Sequence, residues 1–174
     1  MIIMLENPIQ TYKAFNKVDG KLVNRYKRVF EIGKEYFIEG EIRFGNNGNG
    51  FHSCKNLEDT LRYFDFFNEE CTICTCEIKG EISVRNDEYY GYYDQYSSSY
   101  LKLLKELSRD EIISYAKQIR HNDIALERFI RDFYLTQEEI DYFRNKYKRN
   151  SHVLHTLDYF KGTTEDYQMK LKSY

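Results

Sequence analysis

Four cysteines and a histidine are the first side chains in this sequence that could do chemistry. Cysteines stand at positions 54, 71, 74 and 76, and His52 lies just before the first of them. The spacing of Cys71 and Cys74 is one that zinc sites use. These residues lie, however, in an alternating run typical of a strand, in which Cys71 faces away from the next two thiols. We therefore expect reduced, buried thiols and no metal.

A tyrosine-rich stretch in the middle of the chain is the second candidate site. Tyrosine rings offer a large contact area at a low entropy cost, which suits a protein-binding surface. They could also stack on nucleic-acid bases, or simply pack a linker between two parts of the fold. All three interpretations stay open, and protein contact is the leading functional one. The residues concerned are Tyr89, Tyr90, Tyr92, Tyr93, Tyr96 and Tyr100.

A basic cluster lies near the end of one predicted helix. Cations are favoured at a helix C-terminus, so a solvated helix end explains the cluster without a ligand. Contact with a phosphate backbone is the alternative. The chain as a whole has 26 bases and 28 acids, a net charge of -2, which argues against direct nucleic-acid binding. The cluster consists of Arg144, Lys146, Lys148 and Arg149.

The composition of the 174 residues indicates a folded chain with a polar surface. There are 17 Tyr and 12 Phe to build a core, and only one Pro. The apolar start, Met1–Leu5, is too short for the apolar core of a signal peptide and far too short to cross a membrane. Together with the reduced cysteines, this predicts a cytoplasmic protein that makes no membrane contact.

The periodicity of the sequence changes near position 94, so we expect two subdomains. Residues 1–94 show short alternating runs and turns, with one amphipathic helix over 57–67 that Asn56 can cap. Residues 95–174 read as helical from Ser97 onward, with capping boxes that begin at Ser108 and Thr136. The sequence thus predicts an α+β fold, a mainly antiparallel sheet with one packed helix followed by an array of short α-helices. Predicted strands are 10–15, 28–32, 35–43, 50–53, 71–79 and 81–84.

Short motifs spread over residues 12–111 support a family resemblance. They include Tyr12-Lys-Ala-Phe15, Gly50-Phe-His-Ser-Cys54 and Cys76-Glu-Ile-Lys-Gly80. In these motifs the chain resembles an uncharacterised domain family of bacteriophage and bacterial genomes with a Gly-Phe-His-x-Cys core. The resemblance implies a phage or mobile-element setting, and it implies no particular activity.

The order of elements around His52 is also distantly similar to ADP-ribosyltransferase-like folds. In both, a Gly-aromatic strand precedes a helix that ends near a tyrosine, and an alternating strand then closes at a glycine. This resemblance implies a nicotinamide cleft and NAD as the cofactor. An enzyme of this kind would use Tyr12, His52, Tyr63 and Glu81.

No complete catalytic constellation is recognisable, so a non-enzymatic function without a cofactor is the leading hypothesis. We expect a binding protein of phage or mobile-element origin that inhibits a host protein in the bacterial cytosol. A CRISPR-type defence effector, a nucleoprotein complex, is one candidate target, in the manner of an anti-CRISPR. The tyrosine stretch or the acidic sheet face would fill a basic groove on it. ADP-ribosyl transfer to a host target is the first alternative, and nucleic-acid binding is the second.

Overall fold

The computed structural model describes residues 2–43, 48–64, 70–86, 94–119 and 123–161. Within these residues, seven antiparallel strands precede four α-helices, so the predicted α+β class is confirmed. The strands are β1 Ile2–Val18, β2 Lys21–Val23, β3 Val29–Phe30, β4 Glu35–Phe37, β5 Phe51–Cys54, β6 Cys71–Asn86 and β7 Asp94–Glu106. The helices are a 3-10 helix Glu58–Tyr63, then α1 Arg109–Gln118, α2 Asp123–Asp132, α3 Gln137–Lys146 and α4 Ser151–Lys161.

The sheet closes on itself, because four of its strands pair in a ring. β1 pairs with β6, β6 with β7 and β7 with β5. β5 then returns to β1, where Cys54 lies opposite Tyr12. The β2–β3 hairpin extends the outer edge of β1, and β4 extends β7 beyond β5. We call this closed sheet the barrel. Its interior holds Phe15, Phe30, Phe51, Ile78, Leu101 and Leu103.

A bulge at Gly80 bends the long strand β6. Gly80 has a φ of +78°, a conformation that costs little only for a residue without a Cβ atom. The register of β6 with β1 and with β7 shifts beside it. The Ser99 hydroxyl accepts a hydrogen bond from the backbone N–H of Glu81 at 3.1 Å, which satisfies a group that the bulge removes from the ladder. The bend lets β6 curve around the barrel.

The helices enclose a second core on the outside of the barrel. Leu57 and Leu61, at the 3-10 helix, and Ile73 of β6 pack against Phe129 and Phe143 in this core. The fold therefore has two apolar centres, one inside the barrel and one between its outer face and the helices.

Both predicted capping boxes are confirmed. Before α1, the Ser108 side chain accepts from the backbone of Glu111, whose carboxylate in turn accepts from the backbone of Ser108. Thr136 and Glu139 form the same reciprocal pair before α3. Each box satisfies backbone N–H groups that a helix start leaves without a partner.

Two local predictions are wrong. The helical pattern from Ser97 predicts a helix, but residues 97–106 belong to β7, where Leu101 and Leu103 alternate into the barrel. A leucine-rich run fits both the helical periodicity and the alternation of a strand, and pairing with β6 makes this segment a strand. Asn56 does not cap the next helix, because its side-chain amide donates to the Asp59 carboxylate at 3.2 Å instead.

Candidate functional site

A cavity of about 110 Å³ lies where the barrel meets the 3-10 helix and the loop between β2 and β3. It brings together three residues of the transferase hypothesis, Tyr12 from β1, His52 from β5 and Tyr63 from the 3-10 helix. Glu81, the fourth, does not line it. The Glu81 carboxylate accepts a hydrogen bond from the backbone N–H of Ile42 at 2.9 Å, which ties the segment after β4 to the barrel.

Two further cavities adjoin the first. One, of about 660 Å³, is lined by Arg25, Lys27 and Arg62, and the other, of about 240 Å³, is lined by Arg28 and Phe51. Asn24 lines all three cavities. We call the three cavities together the cleft.

The cleft is rich in cations although the chain has a net charge of -2. The loop between β2 and β3 contributes Arg25, Lys27 and Arg28, and the 3-10 helix contributes Arg62. No aspartate or glutamate occurs among the described residues that line the cleft. Clustered charge of one sign in a concave site attracts ligands of the opposite sign. The described cleft therefore suits an anionic ligand.

Asn24 holds the cationic loop in one conformation. Its side-chain oxygen accepts hydrogen bonds from the backbone N–H groups of Tyr26 at 3.0 Å and Arg28 at 2.9 Å. The backbone of Asn24 also pairs with that of Arg28 and of Lys27. An asparagine side chain that bonds its own turn in this way stabilises the turn. The charges of the loop are thus presented from an ordered backbone.

Arg28 is positioned by aromatic rings. Its guanidinium lies 5.2 Å from the ring centre of Phe30, 5.3 Å from that of Tyr36 and 5.2 Å from that of Phe51. Cation–π contacts of this kind attract a guanidinium to the ring faces. The three rings, at one end of the barrel interior, therefore restrict where this charge can lie.

His52 and Ser53 add polar groups that are themselves uncharged. Burial, and after it the nearby Lys13, lower the pKa of His52 to about 4, so its imidazole is neutral at pH 7 and can donate and accept one hydrogen bond each. The Ser53 hydroxyl is buried and has no hydrogen-bond partner among the described residues. Ser53 is one of the residues that line the 110 Å³ cavity.

Aromatic side chains surround the same cavity. Tyr12, Tyr63 and Phe64 line its inner part, and Tyr26, which is 76% exposed, lies at its rim. The Tyr12 ring packs edge-on against Tyr115 of α1, with the ring centres 5.8 Å apart. A planar ligand ring could stack among these side chains.

The tyrosine stretch is only partly within the described residues. Tyr100 is 4% exposed, and its hydroxyl donates to the Glu35 carboxylate at 3.1 Å, so it offers no surface to a partner. Tyr96 is half-buried against the barrel core. Both rings belong to strand β7, where Tyr96 packs against the barrel core and Tyr100 against Phe37 of β4. The other members lie outside the described residues, and their contact with a partner stays a prediction: Tyr89, Tyr90, Tyr92 and Tyr93.

The basic cluster of α3 is engaged within the helical array. Arg144 forms an ion pair with Asp158 of α4 at 2.6 Å. The Lys146 ammonium donates to the backbone carbonyl of Lys117 at 2.5 Å. Lys148 and Arg149 are exposed in the turn that follows α3. The basic cluster is therefore a helix end that contacts neighbouring helices. Its residues do not line the cleft.

Three of the four cysteines are buried, and Cys71 is partly exposed. Cys74 and Cys76 face the barrel interior, where burial raises their pKa values to about 12 and about 11. A protonated thiol is neither a good nucleophile nor a metal ligand. In the described part of the chain, no group of three or more His, Cys, Asp or Glu side chains could hold a metal ion. The helices of that part include none that is long and apolar enough to cross a membrane.

The sequence interpretation missed the cations of the cleft. Arg25, Lys27 and Arg28 are three bases in four residues, directly after the turn-forming Asn24 and between two short apolar runs. That pattern is typical of a charged hairpin loop and could have been noticed. The proximity of this loop to His52 could not have been predicted, because β1 lies between their strands in the sheet.

The fold and the site together define an α+β protein in which a closed antiparallel sheet bears a cationic cleft beside a helical array. Residues 9–115 match a family described as a domain of unknown function, DUF7666. The match covers more than half of the chain, so the chain belongs to this family. It includes every described residue that lines the cleft and ends within α1. Neither the curated proteins nor the solved structures that were searched contain a match.

Proposed function

We propose that the chain binds a phosphate-bearing ligand with a planar ring, a nucleotide or dinucleotide, in the cleft. The observation that supports this most is the set of cations around the cleft, with no carboxylate among the described lining residues. Guanidinium groups bind phosphate oxygens through paired, charge-assisted hydrogen bonds. Arg25 and Arg28 emanate from one loop whose backbone Asn24 holds in place, so the loop need not be ordered when a phosphate group binds.

The 110 Å³ cavity, which is lined by aromatic side chains, suits the planar ring of the ligand. Tyr12, Tyr63 and Phe64 supply apolar faces, and the Ser53 hydroxyl and the neutral His52 imidazole supply polar contacts. Such a mixture, mostly apolar with a few placed polar groups, is typical of small-molecule sites. The planar ring would lie in the cavity and the phosphate at the rim.

ADP-ribosyl transfer with NAD is the enzymatic form of this proposal. Tyr12, His52 and Tyr63 meet in one cavity, as that hypothesis requires. Glycosidic cleavage also calls for a carboxylate that stabilises positive charge on the sugar, and Glu81 binds the backbone of Ile42 instead. We therefore propose ligand binding as the function of the cleft. The phage setting and the inhibition of a host defence protein stay predictions of the sequence.

The test measures binding of NAD, ADP-ribose and inorganic pyrophosphate by calorimetry. We compare the wild-type chain with Arg25→Gln, which removes a cleft cation. Arg43→Gln is the matched control, because Arg43 is exposed, pairs with Glu41 and does not line the cleft. Loss of one charged hydrogen-bond donor to phosphate should weaken binding by at least about tenfold. The control should bind like the wild type.

Two comparisons separate the parts of the ligand. Nicotinamide tests the ring without phosphate, and pyrophosphate tests phosphate without the ring. Affinity for the phosphate ligands should fall as salt is added, because exposed charges are screened. The proposal is overturned if none of the phosphate ligands binds at millimolar concentration, or if Arg25→Gln binds them as well as Arg43→Gln does.

A further inference from the structure

Lys13 places an amine inside the barrel. Alternation along β1 puts it on the same face as Phe15, and its Nζ lies 5.6 Å from the centre of the Phe15 ring. Nζ donates a hydrogen bond to the backbone carbonyl of His52 at 2.5 Å. Within the described part of the chain, no carboxylate forms an ion pair with it. A lysine in such a position is uncommon, because its charge is expensive to bury.

The groups near Lys13 do not compensate its charge. Cys54, Cys74 and Cys76 are close enough to interact with it, but burial raises the pKa of each thiol, so all three are neutral at pH 7. Burial also lowers the pKa of Lys13 itself. A larger fraction of Lys13 than of an exposed lysine is therefore the free amine at neutral pH.

Lys13 borders space that a ligand can enter. It lines the 110 Å³ cavity and also the 240 Å³ cavity, and His52 and Tyr26 line both with it. A molecule seated in the cleft would thus lie beside the amine. Neither the proposed phosphate contacts nor the stacking residues use this group.

We propose that Lys13 is a nucleophile that forms an imine with an aldehyde or ketone group of a molecule bound in the cleft. The nitrogen lone pair attacks the carbonyl carbon, the nitrogen gives up a proton, and the carbonyl oxygen takes one to form a carbinolamine. The carbinolamine hydroxyl then takes up a proton and leaves as water as the C–O bond breaks, the nitrogen lone pair forms the C=N bond, and the nitrogen gives up its second proton, so that amine and carbonyl become imine and water. The neutral His52 imidazole lines the same cavities and can hold the proton that moves.

This chemistry goes beyond the proposed function and does not depend on phosphate, because the carbonyl group alone reacts. The test treats the folded wild-type chain at pH 7 with a limiting amount of pyridoxal, or of pyridoxal 5′-phosphate, in the presence of cyanoborohydride. At this pH cyanoborohydride reduces an imine to a stable amine and leaves the free aldehyde intact, and peptide mass mapping then gives the rate of labelling at each lysine. Lys17 is the internal control, since it lies on the same strand and its hydrogen bond to Glu106 raises its pKa.

Lys13 should be labelled by pyridoxal faster than Lys17, because burial lowers the pKa of Lys13 while the hydrogen bond to Glu106 raises that of Lys17, so a larger fraction of Lys13 is the free amine. In Lys13→Arg, the label at position 13 should be absent. A rate at Lys13 no greater than at Lys17 overturns the inference, whatever the variant does. If pyrophosphate binds but Lys13 is not labelled, the nucleophile fails and the phosphate site stands. If pyridoxal labels Lys13 and no phosphate ligand binds, the phosphate site fails and the nucleophile stands.

Discussion

His52, which is half-buried, and Asp59, which is buried, have pKa values that shift in opposite senses. Burial lowers the pKa of His52 from 6.5 to about 4, and burial raises that of Asp59 from 3.8 to about 6 in spite of Arg128 nearby. Each shift favours the neutral form. Between pH 4 and 6.5 the unfolded state binds more protons at His52, whereas between about pH 3.8 and 6 the folded state binds more at Asp59. The two contributions to stability therefore oppose each other.

The first prediction concerns His52→Gln. As the pH falls from 7 to 5, the wild-type chain loses stability at this position, because protonation of His52 is easier in the unfolded state. A glutamine does not titrate, so the free energy of unfolding of the variant should fall by about 2 kcal/mol less than that of the wild type. Urea denaturation at both pH values measures the difference. Parallel pH profiles would contradict the burial of a neutral imidazole.

The second prediction concerns Asp59→Asn and has the opposite sign. The folded chain gains stability at Asp59 as the pH falls through 6, because the carboxyl takes up its proton more readily when folded. The variant lacks this gain, so between pH 7 and 5 its free energy of unfolding should fall by about 1 kcal/mol more than that of the wild type. The same denaturation series serves for both variants. A smaller fall than in the wild type would show that Asp59 is ionised when folded at pH 5.

At the scale of elements, the 3-10 helix joins the barrel to the helical array. The Asp59 carboxylate accepts from the Arg128 guanidinium of α2 at 2.9 Å, and their side chains are 1% and 11% exposed. The Glu58 carboxylate accepts from the Tyr115 hydroxyl of α1 at 2.7 Å. Tyr63, at the end of the same helix, lines the cleft. The helical array therefore supports one side of the cleft through two partly buried polar contacts.

The third prediction compares Arg128→Met with Arg131→Met. Removal of Arg128 leaves Asp59 buried without its partner, which should cost about 3–5 kcal/mol at pH 8. The cost should be smaller at pH 5, because Asp59 is then protonated. Arg131 pairs with Asp132 at the protein surface, with a side chain 44% exposed, so its loss should cost under about 1 kcal/mol. Chemical denaturation at both pH values measures the four differences. Equal losses in the free energy of unfolding for the two variants would contradict a buried ion pair between Asp59 and Arg128.

At the scale of the whole molecule, the closed barrel depends on a close approach at Gly50. A Cβ atom at this position would lie 1.7 Å from the Ser97 hydroxyl oxygen of β7 and 2.9 Å from a side-chain carbon of Ile42. Only a residue without a side chain lets the start of β5 lie this close to β7. His52 and Ser53 follow on β5, so the closure of the barrel also positions the polar groups of the cleft.

The fourth prediction therefore concerns Gly50→Ala. The added methyl group should push β5 away from β7, cost about 1–3 kcal/mol of stability and weaken ligand binding in the cleft. Ser97→Gly removes the atom that clashes, so the double variant should recover part of the loss. A double-mutant cycle by urea denaturation measures this coupling. Additive effects of the two substitutions would show that positions 50 and 97 do not approach each other as closely as described.

The sequence by itself determined the features that depend on neighbours within a few residues. Both capping boxes, at Ser108 and Thr136, were predicted and observed, because a helix start needs partners only three residues away. The alternation of Cys71–Lys79 likewise predicted a strand that buries Cys74 and Cys76 on one face. The α+β class follows from such local periods, which the backbone hydrogen bonds of each element impose.

Only the tertiary structure decided what depends on distant pairing. Strand β7 reads as a helix by its own pattern, and its pairing with β6 over most of its length makes it extended. The burial of Tyr100 follows from that pairing. The cleft exists because ring closure brings together segments around positions 12, 25, 52 and 63. No local pattern encodes that meeting, since it results from the whole set of long-range contacts that bury both cores.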